Sequence, residues 1–208
     1  MPAGRGANAL LLHPAAKPLL FTAGLLPLAW LLHGAVTNTL GANPAEALIR
    51  STGDWTLRLL CLTLAVTPLR QATGWHALAR LRRMLGLFTF FYGALHFLTF
   101  AWLDMGLDLG AIVSDIAKRP FILVGTAALL LMLPLAATSF NAAIRALGAA
   151  RWQALHRAVY AVALLASVHF YWMRAGKNDF AEVAVYAAII AALLGWRLLR
   201  RTPRRASP

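Results

Sequence analysis

Apolar runs about as long as a bilayer is thick recur along this chain, and they restrict its fold more than any other feature. The fullest, WQALHRAVYAVALLASVHFYW at 152–172, has 21 residues. At about 1.5 Å per residue it reaches roughly 31 Å, against a hydrocarbon core of about 30 Å. Five others follow the same pattern, at 18–36, 54–69, 84–103, 120–137 and 180–196. Inside lipid a chain must satisfy its own backbone N–H and C=O groups, so such runs are read as helices. The expected fold class is therefore all-α, a polytopic membrane helix bundle with six transmembrane helices. Composition agrees: 60% of residues are hydrophobic, 13% are charged and the mean hydropathy is +0.65, whereas a soluble domain would be about 45–50% apolar. Short connections make residues 1–208 one transmembrane domain. The first run follows Arg5 and Lys17 as a signal-peptide core would, but it is long for one and no clear small-residue cleavage site follows, so it is read as a retained span. Pro27 and Pro134 fall inside spans and are read as kinks. Pro68 is read as marking the end of the second span.

Charge gives the orientation. The formal net charge is +13, which in a soluble chain would suggest nucleic acid, but here the basic residues cluster between apolar runs as membrane orientation signals do. With both termini cytoplasmic, the inner segments hold thirteen of the twenty basic residues, among them Arg5, Lys17, Arg70, Arg80, Arg82, Arg83, Arg197, Arg200, Arg201, Arg204 and Arg205. The outer segments hold five: Arg50, Lys118, Arg119, Arg174 and Lys177. The expected topology is N-in and C-in. All seven acidic residues then lie at the outer side. Trp55, Trp102 and Trp172 would mark the outer interface, and Trp152 and Trp196 the inner one.

The single Cys61 excludes an intramolecular disulfide and a cysteine metal cluster, so any metal must be held through histidine. An ionisable group inside a span is a functional candidate by default. His96 and His169 lie on spans that run in the same direction, each toward the outer face. Two neutral imidazoles facing each other across a bundle can ligate one haem iron axially. Each could equally be a hydrogen-bonded polar group between helices or a member of a proton relay, and the residues alone leave these readings open. His156 lies toward the inner face and lacks an obvious partner. Level with it the third span offers Arg82 and Arg83, while His76 in the inner loop and Arg157 beside His156 are further candidates for an inner-haem ligand or a propionate partner. Thirteen residues at 100° each place His156 and His169 about 140° apart around an ideal helix, so they share no face unless the helix is distorted. Arg58, one turn into the second span, is read as snorkelling or as a propionate or headgroup partner. The string GRGANA at 4–9 resembles a dinucleotide fingerprint but follows no strand, and no nicotinamide domain is expected.

The segments STGDWTLRLL (51–60), TPLR (67–70), RRMLGLFTFFYGALHFLTF (82–100), RPFILVG (119–125), LAATS (135–139) and LGAARWQALHRAVYAVALLASVHFYW (147–172) resemble the MsrQ (YedZ) family. That family is the haem-binding inner-membrane subunit of the bacterial periplasmic protein-methionine-sulfoxide reductase system, within the ferric-reductase-like transmembrane superfamily. The resemblance covers nearly the whole chain. It implies one or two b-type haems, with His96 and His169 as the outer pair and His156 as the inner histidine, and it implies FMN. The donor it implies is the quinone pool or a cytosolic flavin reductase, and the acceptor a periplasmic molybdopterin-containing subunit that performs the sulfoxide chemistry in repair of oxidised proteins. On that reading this multi-pass protein of the bacterial inner membrane carries electrons and has no catalytic residue of its own. Larger relatives such as the NADPH oxidases carry two histidines on each of two helices, and this chain departs from them at Arg82 or Arg83. Its alternatives are a membrane ferric-chelate reductase, another b-type cytochrome, or a non-haem transporter with a histidine relay. The scarcity of carboxylates within the spans argues against the last.

Overall fold

The structure is a computed structural model describing residues 3–176 and 178–200. Lys177, Arg201, Arg204 and Arg205, counted above toward the orientation, lie outside the described residues, as does the side chain of Arg5. The elements are helices throughout: α1 (Ala3–Leu12), α2 (Ala16–Val36), α3 (Pro44–Thr73), α4 (Arg82–Thr99), α5 (Leu109–Lys118), α6 (Pro120–Ala137), α7 (Asn141–Leu147), α8 (Ala149–His156), α9 (Val159–Ala175) and α10 (Ala181–Leu199). A short 3₁₀ turn, His76–Arg80, leads into α4, and a π-helical turn, Phe100–Asp104, extends it. The all-α membrane bundle expected from the apolar runs is what forms. By length and apolarity five segments can cross a bilayer: Ala16–Val36, Arg82–Asp104, Pro120–Ala137, Ala149–Ala175 and Ala181–Leu199.

The expected second span belongs to α3, which differs from the rest. Its 30 residues extend about 45 Å, yet Glu46, Arg50, Asp54, Arg58 and Arg70 make it the least lipid-like of the long helices. It is instead central, packed by α4, α10 and α2, with Leu60 2% and Leu64 1% exposed. Polar groups at membrane depth are tolerated where protein covers them. Arg58 accordingly donates from Nε to the Tyr186 hydroxyl of α10 at 3.3 Å and lies over the Trp55 ring, so it links two helices. Asn43 caps the start of α3 by accepting from the Glu46 N–H at 3.1 Å, with Pro44 at the first helical position. Gly74, at φ +73°, ends it in the left-handed conformation that glycine adopts without strain.

Pro68 does not end this helix, contrary to expectation. A proline lacks the N–H that would bond the carbonyl four residues back, here Leu64, and a carbonyl left unpaired in the interior is costly. Arg197 of α10 supplies the missing donor, reaching the Leu64 oxygen at 2.6 Å. A tertiary contact therefore carries α3 past its proline. Beside Pro27 in α2, the Tyr92 hydroxyl donates to the Gly24 carbonyl at 2.8 Å and accepts from the Leu28 N–H at 3.1 Å. It thus stands in for one rung of the helical ladder.

The run at 152–172 was expected as one continuous helix. It forms as α8 and α9, separated at Arg157–Ala158. There the bonding tightens to three-residue spacing, with Ala158 N–H to Leu155 O at 2.9 Å and Tyr160 N–H to Arg157 O at 3.0 Å.

Candidate functional site

His96 sits in the last turn of α4 and His169 near the end of α9. Their rings approach across the bundle with centroids 6.0 Å apart and planes at 74°. The sequence-predicted outer pair is thus brought together at one end of the bundle, termed outer after the charge-based orientation.

Both rings are held in the same way. His96 Nδ1 lies 2.8 Å from the Ile49 carbonyl of α3, and His169 Nδ1 lies 2.6 Å from the Phe121 carbonyl of α6. A carbonyl oxygen can only accept, so each Nδ1 carries the proton and each Nε2 keeps its lone pair. Four residues beyond each carbonyl, on the same helix face, stands a glycine. A Cβ on Gly53 would meet the His96 ring at 3.1 Å, and one on Gly125 would meet His169 Nδ1 at 2.7 Å. Carbonyl and glycine together make a cradle that fixes the tautomer and leaves space for the ring.

Two bonds of about 2 Å from opposite imidazoles to one metal ion hold the ring centres roughly 6 Å apart, which fits the observed spacing. Among the described residues no group of three histidine, cysteine or acidic side chains could hold a metal. A porphyrin would supply four further ligands to an iron between the two rings, so the spacing and the Nε2 lone pairs of His96 and His169 are compatible with a haem.

The inner half of the bundle contains a chamber of about 730 Å³. Six arginines line it: Arg70 of α3, Arg82 and Arg83 of α4, Arg157, and Arg197 and Arg200 at the end of α10, and no carboxylate joins them. Ion pairs form elsewhere, between Arg50 and Glu46, Arg119 and Asp115, and Arg174 with both Asp179 and Glu182, all at the outer end. The chamber is thus a concentrated positive field suited to an anionic group such as a phosphate or a propionate. It reaches inward as far as Thr89 and Val162. Thr89 is seven residues, about 10 Å along α4, from His96.

His156 lines this chamber, but its Nε2 is 3.0 Å from the Thr138 hydroxyl and its ring stacks on Trp152 at 3.9 Å. Trp152 in turn donates to the Thr138 carbonyl at 2.9 Å, so this tryptophan, expected as an interface anchor, packs the histidine. Arg82, Arg83 and Arg157 share the chamber with His156. His76 does not line it and is exposed on the 3₁₀ turn.

Sequence reasoning missed the two glycine cradles and the part played by Arg70, Arg197 and Arg200. The arginines were legible only as orientation charges. The spacing of Arg197 and Arg200 on one helical face was the available signal. Gly53 and Gly125 carried none, because their role depends on which helix lies opposite.

The description "Ferric reductase like transmembrane component" belongs to the family model that matches residues 52–167, a segment that contains both cradle glycines, His96 and His156. A protein of Polaromonas naphthalenivorans named "Protein-methionine-sulfoxide reductase heme-binding subunit MsrQ" is 65% identical over 93% of this chain and 88% of its own length. Proteins of the same name are 59% identical in Ralstonia nicotianae, over 84% of this chain and 80% of theirs, and 47% identical in Brucella ovis, over 91% and 84%. No solved structure matches the chain. With that degree of identity along nearly its whole length, the chain belongs to the MsrQ family of ferric-reductase-like transmembrane proteins.

Proposed function

We propose that this chain is the haem b-binding, electron-carrying membrane subunit of a bacterial protein-methionine-sulfoxide reductase system. The observation that carries the reading is the matched pair of imidazoles, His96 and His169, each with Nδ1 bound to a backbone carbonyl and Nε2 free to ligate. The names of its relatives, which specify haem binding and methionine-sulfoxide reduction, support it. A haem held there supplies one-electron redox chemistry. His96 and His169 orient it, and α3, α4, α6 and α9 exclude water from it.

The arginine-lined chamber serves the inner end, with His156, Arg82, Arg83 and Arg157 as partners for an anionic redox group, either the propionates of a second haem or the phosphate of FMN. Electrons enter there from quinol or from a cytosolic flavin reductase. A haem held by His96 and His169 would pass them to a periplasmic molybdopterin-containing subunit, which would carry out the sulfoxide reduction. Asp108, which caps α5, and Asp115, which pairs with Arg119, are engaged within the chain. The acceptor docks on the outer face, where the acidic residues of the 104–115 segment lie.

The same reading has six spans in the inner membrane, with α3 as the second and both termini cytoplasmic. Reporter fusions after Pro208 and within 118–120 then report opposite compartments, cytoplasmic and periplasmic. The same side for both would overturn the span count. The function itself is tested by anaerobic stopped-flow reoxidation of the reduced haem in membranes with the periplasmic partner added. Reoxidation is expected only when protein-bound methionine sulfoxide is also present. Equal rates with and without the sulfoxide would return the chain to the broader class of membrane ferric reductases.

A further inference from the structure

A second cavity, of about 430 Å³, lies between α2 and α4 at the inner end, apart from the histidine pair. We propose that it is a binding site for an anionic phospholipid of the inner leaflet. Its polar lining is confined to three cations, Lys17, Arg80 and Arg83, and the rest is apolar: Phe21 and Leu25 from α2, and Met84, Leu87, Phe88 and Phe91 from α4.

On α2 the lining residues Lys17, Phe21 and Leu25 recur every fourth position and form one stripe. From Lys17 to Leu25 the stripe covers about 12 Å of helix axis, close to the depth of one leaflet, about half of a 30 Å core. A cation therefore sits at headgroup level, with an apolar channel extending into the leaflet behind it.

The other two cations are preset by neutral partners. Arg80 donates to the Leu12 carbonyl at 2.8 Å and to the Leu11 carbonyl at 3.3 Å, at the end of α1. Arg83, which stands between this groove and the arginine-lined chamber and borders both, donates to the Asn141 side-chain oxygen at 2.9 Å. These bonds fix the guanidinium groups without neutralising them, and no carboxylate lines the groove. A basic pocket between spans at the inner leaflet suits an anionic lipid headgroup, and guanidinium matches phosphate geometry. Walls of leucine and phenylalanine suit an acyl chain. A quinone carbonyl can accept a hydrogen bond from these cations, but a neutral ring brings no negative charge to match three of them, whereas a phosphate does.

The experiment is native mass spectrometry of the purified holoprotein titrated with dioleoyl phosphatidylglycerol or dioleoyl phosphatidylcholine, with the haem spectrum as the reporter of folding. The wild-type protein is expected to retain the phosphatidylglycerol at least about fivefold better. Lys17→Gln should reduce that retention about fivefold, from the loss of one headgroup cation, and leave phosphatidylcholine retention unchanged. Leu25→Trp, which fills the channel and keeps all three charges, should reduce retention of both lipids. Equal retention of the two lipids by the wild type would overturn the assignment, as would unaltered phosphatidylglycerol retention in either variant with an intact haem spectrum. Displacement of bound phosphatidylglycerol by equimolar ubiquinone would assign the groove to quinone instead.

Discussion

His96→Ala and His169→Ala should each abolish or shift the same haem absorption signal. The two ring centroids are 6.0 Å apart and come from different helices, so on the proposed reading removal of either would take one ligand from the same haem iron. A tenfold or greater loss of the reduced-minus-oxidised signal is the expected size, since even changes to the groups behind a ligand cost about 10–100-fold in metal affinity. His156→Ala should leave this signal in place and change a separate one or none. It lies thirteen residues from His169, about 20 Å along the helix, and its ring is bound to Thr138 and Trp152. A normal reduced spectrum in either of the first two variants would refute the bis-histidine assignment.

Replacing the cradle glycines should produce a graded loss. In Gly125→Ala the new methyl group would stand 2.7 Å from His169 Nδ1 and 2.9 Å from Cε1, closer than side-chain carbons approach in folded proteins. The ring cannot move freely away, because its Nδ1 proton is held by the Phe121 carbonyl at 2.6 Å. Either that bond breaks or the Nε2 lone pair swings off its axis, and the expected loss of haem retention is about 10–100-fold. Gly53→Ala is milder, with its nearest approach to the His96 ring at 3.1 Å, which a shift of a few tenths of an ångström relieves. The haem-to-protein ratio of the two purified variants, beside the wild type, measures the difference. Equal and full haem content in both would show that the glycines do not set the ring positions.

The sequence determined that this chain is a bundle of membrane helices, because lipid leaves the backbone no other way to satisfy itself once apolar runs of bilayer length recur. It also picked out His96 and His169, since an imidazole at membrane depth is costly enough to stand out among leucines and alanines. The ends of the helices were less legible. Pro68 looked like a stop because its missing donor is a local fact, whereas Arg197, which replaces that donor, is 129 positions away. The division of the fifth run at Arg157 was hidden because a three-residue hydrogen-bond spacing leaves no mark on an apolar sequence. Arg70, Arg197 and Arg200 counted only as orientation charges, for a positive charge near a membrane face serves topology whether or not it also faces a cavity. Only the tertiary structure decided that these arginines converge on one chamber, that Trp152 packs His156, and that Gly53 and Gly125 lie opposite the His96 and His169 rings. The reason is the same in each case: the partner belongs to another helix, and hydrophobic periodicity states which way a helix faces without stating what stands across from it.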